Sequence, residues 1–216
     1  GVEDAAEGTP AQRTIRETVK HHFAVSACIL QKDARIGKII GFYSVVFAAH
    51  TLLFFYSQQY FADLGYNKVQ ISVIMLLVGG ASCLGALVSE KMYRWFGKKC
   101  LIPETVIIAG AILCYGAGKA GVAIAALMCA GFANAALYPI QSDSLNALIP
   151  SEQRATLISV DSMCFSIVMI VLFPLAGALA DRWGLKTVLL LLGVILLLFL
   201  LTVFCIEKES FSSDHS

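Results

Sequence analysis

An all-helical fold integral to a membrane, with six spans, is the class this sequence predicts, and three observations carry it. Charged residues are only 14% of the 216 positions and hydrophobic residues 58%, against about 25% charged in a typical soluble domain. The mean hydropathy is +0.76. The apolar residues fall in blocks of about 20, the length an α-helix needs to cross a hydrocarbon core, not in short alternations. The lipid bilayer is therefore the expected surrounding. A net charge of +1 provides no basic surface for nucleic acid.

The elements follow in order. Residues 1–10, GVEDAAEGTP, read as flexible linker. In TIRETVKHHFAVSACIL, Thr14 and Glu17 have capping-box spacing, and Ile15, Val19, Phe23 and Leu30 recur at near-helical intervals. This predicts an amphipathic helix on the membrane surface, within a cytoplasmic linker of residues 1–35. Spans are expected at residues 36–58, 69–88, 101–118, 122–141, 155–180 and 187–206, with a cytoplasmic tail at 207–216. Asn67, three residues before Gln70, opens the second span with a capping box. Pro150 and Ser151 precede the fifth, where Ser151 is the expected N-cap and Glu152 suits the positive helix end. Pro174 is expected to kink that span.

Basic residues orient the chain. With the N-terminus in the cytoplasm, only Lys68, Lys119, Arg182 and Lys186 of the sixteen Lys and Arg residues fall on the far side. That is a positive-inside bias, and six spans return the C-terminus to the cytoplasm. The polar start at Gly1 is not a signal peptide and reads as a piece of a longer polypeptide or a processed chain. None of the seven cysteines forms a C-x-x-C pair. Most lie in apolar blocks, so neither a metal site, a disulfide framework nor a cofactor is expected.

Two junctions match. GALVSEKMYRWFGKK, from Gly85, joins spans two and three; GALADRWGLKT, from Gly177, joins spans five and six. Each begins Gly-Ala-Leu and continues with an acid–base pair, Glu90–Lys91 or Asp181–Arg182. Each then has an aromatic residue followed by a glycine, Gly97 or Gly184, and a basic residue. Glycine lets helices approach closely near their ends. A generic tight turn explains either junction alone. Their shared place in the six-span order predicts a 3+3 inverted repeat.

These junctions, with YPIQSDSLNALIPSEQRATLISV, make residues 11–206 resemble the C-terminal six-helix half of a major facilitator superfamily transporter. The first junction departs from the G-x-x-x-D-R-x-G-R-[RK] pattern of that family, with Ser89, Glu90 and Lys91 and a longer insert. The resemblance implies alternating-access transport of a small molecule, a drug or metabolite, coupled to protons. It also implies an N-terminal six-helix half of the same transporter as partner, residence in the plasma (cell) membrane, and a cavity lined by the first, second, fourth and fifth spans. Sugar or organic-ion uptake is an alternative substrate class, and a non-transporting truncated half or six-span scaffold is an alternative role. The chain carries no G-x-S-G, H-E-x-x-H or N-P-A motif, so neither an enzyme nor an aquaporin-type channel is expected.

Ionisable and polar residues deep in a span are the candidate site. His50, mid-span one, is either a functional imidazole or a neutral one bonded to a neighbouring helix. Gln58 lies near the outer end of that span and also suits a simple interface residue. Asn134, in span four, lines a cavity or bonds between helices. Gln141 stands near that span's cytoplasmic end. Asp161 is about 10 Å into span five, placed for proton or cation coupling or for pairing with Arg154. Ser162 follows it, as cavity lining or packing. Arg154 belongs to the turn between spans four and five, which should move when the cavity opens.

Overall fold

In a computed structural model of the protein, the structure describes residues 34–97, 101–148 and 154–213. The chain forms α1 (Ala34–Asp63), α2 (Lys68–Phe96), α3 (Leu101–Cys114) with a 3₁₀ turn (Tyr115–Ala117), α4 (Ala120–Asn146), α5 (Arg154–Trp183) and α6 (Leu185–Ser213). No strand occurs among the described residues. The amphipathic linker helix, Ser151 and Glu152 lie outside them.

Five of the six helices are long and apolar enough to cross a membrane. The exception, α3, has 14 residues. At 1.5 Å per residue it is about 21 Å long, and its 3₁₀ turn adds about 6 Å. The expected third span of residues 101–118 is therefore an α-helix that tightens before its end. Gly118, at φ +69°, closes it with its N–H on the Tyr115 carbonyl. α5 is continuous through Pro174, and α6 runs on to Ser213, past the expected boundary at residue 206.

Local chemistry specifies the turns. After α1, Tyr66 N–H donates to the Phe61 carbonyl at 3.0 Å and Gly65 N–H to that of Ala62 at 2.9 Å. This is a Schellman closure, with Gly65 at φ +88°. The Phe61 and Tyr66 rings meet at 5.7 Å, the apolar contact that accompanies it. Asn67 then opens α2 with a complete capping box: Asn67 Oδ1 accepts from Gln70 N–H and Gln70 Oε1 from Asn67 N–H, both at 2.9 Å. Between α5 and α6, Gly184 at φ +80° donates to the Ala180 carbonyl at 2.9 Å, and α6 begins at the next residue.

α4 lies at the centre, against α1, α2 and α3; α5 packs on α1 and α6, and α3 on α6. The main core joins Val46, Leu53 and Phe61 of α1, Ile108 and Ile112 of α3, Leu127 and Leu137 of α4, and Leu196 of α6. A smaller cluster of Ile36, Ile40, Leu145, Leu157 and Val160 ties the start of α1 to the end of α4 and the start of α5. Both clusters leave one side of the α1–α4–α5 contact unfilled.

Candidate functional site

A cavity of about 310 Å³ opens between α1, α4 and α5. Helical periodicity builds it. Ser44, Phe47 and Thr51 repeat along one face of α1, Asn134 and Tyr138 along α4, and Asp161, Ser162, Phe165 and Ser166 along α5. A smaller cavity of about 50 Å³ adjoins it, shares Tyr138, Asp161 and Ser162, and adds Gln141, Ser142, Asn146 and Ile158. The Phe47 and Tyr138 rings meet at 5.9 Å on its α1–α4 side.

Gln141 and Asp161 join the two cavities. Gln141 is 1% exposed, and its Nε2 donates to Asp161 Oδ1 at 3.0 Å. A carboxylate at this depth is costly unless polar groups attend it, and the Gln141 amide, from the neighbouring helix, is one. Arg154, the partner expected from the sequence, is exposed at the first position of α5. The pairing to Asp161 thus runs across helices, not along α5.

Two more polar residues, Ser44 and Asn134, line the cavity. Ser44 Oγ and Asn134 Oδ1 are buried and have no hydrogen-bond partner among the described residues. Buried polar atoms are normally paired, but these two oxygens are closed off from the cavity that their residues line. The structure thus brings together Asn134, Gln141, Asp161 and Ser162. It does not bring in His50 or Gln58. The His50 Nε2 is buried and unpartnered among the described residues, off the cavity lining, and Gln58 is exposed.

The junction residues have structural surroundings. Gly85 is buried against the Phe132 backbone of α4. Beside it, Ser89 Oγ donates to the Ala136 carbonyl at 2.8 Å. The charges that follow stay on their own helix: Glu90 lies 3.9 Å from Arg94, and the Lys91 ammonium 4.7 Å from the Trp95 ring centroid. Gly97 caps α2 at φ +56°. In the second junction, Gly177 faces the Tyr56 hydroxyl, Asp181 and Arg182 are exposed, and Gly184 makes the turn.

Sequence reasoning missed two features. Glu104 is 1% exposed, and both its carboxylate oxygens lack a partner among the described residues. Its place in the first turn of α3 signals only a favourable helix dipole. An apolar crevice of about 270 Å³ also lies between α1, α5 and α6, lined by Leu52, Leu175, Trp183 and Ile195 among others. No group of His, Cys, Asp or Glu that could hold a metal occurs among the described residues.

Packed helices, five of them long and apolar enough to cross a membrane, around a cleft with one carboxylate have the architecture of a multi-pass membrane protein. Comparison with family models gives its kind: residues 105–214 match the Major Facilitator Superfamily. The match spans half of the chain, which belongs to that superfamily and is a membrane transporter of the major facilitator type. It includes α4 and α5, and with them Asn134, Gln141, Asp161 and Ser162. No curated protein and no solved structure matches the chain.

Proposed function

We propose that this chain is the C-terminal half of an alternating-access transporter that moves a small organic molecule, a drug or metabolite, with Asp161 coupling the movement to protons. The observation that carries this is the Gln141–Asp161 pair at 3.0 Å, inside a cavity formed by three helices of a superfamily member. The substrate would contact Asn134, Asp161 and Ser162, with Gln141 orienting the carboxylate. His50 and Gln58 would act from outside this cleft. The protein would sit in the plasma membrane with both termini cytoplasmic, as the basic residues indicate.

A missing N-terminal six-helix half is supported by the exposed faces of the bundle. No residue in the most apolar eighteen-residue window of α5 is buried. The 3+3 inverted repeat is supported by the packing partners. Exchanging α1–α3 with α4–α6 turns the α2–α4 contact into α5–α1 and leaves α3–α6 unchanged, and all three contacts occur. Arg154, in the turn joining two cavity helices, would report the conformational change and take no part in binding. Arg154→Ala should alter rate and leave substrate preference intact.

The test is transport in proteoliposomes containing this chain with an N-terminal half, across a panel of labelled drugs, amines, sugars and organic acids under an imposed proton gradient. The expected result is gradient-dependent movement of one class. No movement of any class, in either direction, would favour the non-transporting half.

A further inference from the structure

We propose that the α1–α4–α5 cleft selects organic ammonium ions bearing an N–H, that is, amines protonated at neutral pH, over neutral and anionic molecules of the same shape. The inference rests on the transporter reading above and narrows its substrate to one chemical class.

Three features of the lining support it. Asp161 is the one charged residue among the described residues lining the two cavities, and no Lys, Arg or His among them joins it. An anion entering here would meet a carboxylate with no cation to offset the repulsion, and a neutral molecule would leave that carboxylate without a counter-charge. In a low-dielectric site both outcomes are costly compared with a cation, because charge–charge energies grow as the dielectric falls.

The second feature is the supply of acceptors. The Asp161 carboxylate takes a single hydrogen bond among the described residues, from Gln141. Ser162 and Ser166 stand beside it in the same lining. An ammonium is donor-only, with up to three N–H groups. It would donate to the remaining acceptor positions of the carboxylate, which an alkoxy or carboxylate ligand cannot do.

The third is the aromatic wall. Phe47, Tyr138 and Phe165 come from three different helices onto one cavity. Their ring faces carry the negative end of the quadrupole and attract a cation within about 6 Å. The carboxylate and the aromatic residues thus favour the same sign of ligand charge.

The test is binding of four probes of closely similar shape to the chain in nanodiscs: benzylamine, benzyltrimethylammonium, benzyl alcohol and benzoate. Benzylamine should bind at least tenfold tighter than benzyl alcohol, with benzoate weakest. Benzyltrimethylammonium, which has the charge but no N–H, should fall between. Asp161→Asn should remove the advantage of benzylamine, whereas Asp143→Asn, exposed on α4 and off the cavity, should keep it. Because the ranking is read on the unaltered protein, it stands even if a variant fails to fold. Equal binding of benzyl alcohol or benzoate, retention of the ranking in Asp161→Asn, or no binding of any probe would overturn the inference. Transport of neutral or anionic compounds alone would overturn it while leaving the transporter reading intact. Ammonium-selective binding without transport would do the reverse.

Discussion

The two Gly-Ala-Leu stretches are alike in sequence and differ in what they pack against. At Gly85, α2 rests on the backbone of α4: a Cβ there would collide with the Phe132 carbonyl. One turn on, Ser89 donates to the next turn of α4 at 2.8 Å. Gly131 repeats the device from the other side, where a Cβ would stand 2.8 Å from Ser82 Oγ. Gly177 instead meets a side-chain tip, the Tyr56 hydroxyl, 3.0 Å from where its Cβ would be. That hydroxyl donates to the Phe173 carbonyl at 3.1 Å, and its ring stacks on Phe173 at 5.3 Å. The α2–α4 seam is therefore closed by small residues and backbone contact, and the α1–α5 seam by aromatic rings that can turn. Shared glycines do not imply shared rigidity, and the aromatic seam borders the apolar crevice through Tyr56.

This contrast can be broken at its strongest point first. Gly85→Ala places a methyl where the α4 backbone lies, which no side-chain rotation relieves, so it should cost about 3 kcal/mol, the upper end for overpacking. Thermal unfolding in detergent would show the loss; an unchanged midpoint would mean the seam is looser than its geometry. Ser89→Ala removes one buried interhelical hydrogen bond and should cost about 1 kcal/mol by the same measurement. Gly177→Ala asks only that the Tyr56 tip shift slightly, and should cost less than about 1 kcal/mol. A loss equal to that of Gly85→Ala would erase the distinction. Glu90→Gln breaks only an exposed pair within α2, and its effect should stay below about 0.5 kcal/mol.

How far the sequence reveals this depends on whether the signal is local. Asn67 with Gln70, and the glycines at positions 65, 118 and 184, carry their own turn chemistry and mark helix ends where the structure has them. The helical class follows from apolar block length, and five of six expected spans have the length to cross a membrane. The short α3 was less legible, because a tightening into a 3₁₀ turn leaves the apolar run unbroken across residues 101–118. Within the site, Asn134, Gln141 and Asp161 stand out as polar residues in apolar segments. That Gln141 and Asp161 meet depends on how α4 packs on α5, which no spacing along one helix encodes. His50 stands out by the same rule and lies off the cavity. Glu104 reads as interfacial from its position, yet is buried, because burial depends on neighbouring helices.

The central claim is that the Asp161 cleft is the working site of a transporter. Its most direct test is initial-rate transport in proteoliposomes, with the partner half present, comparing the unaltered chain, Asp161→Asn and the exposed control Asp143→Asn at equal protein incorporation. The account predicts at least a tenfold loss of rate for Asp161→Asn and a rate within twofold of the unaltered chain for Asp143→Asn. Full activity in Asp161→Asn would contradict it.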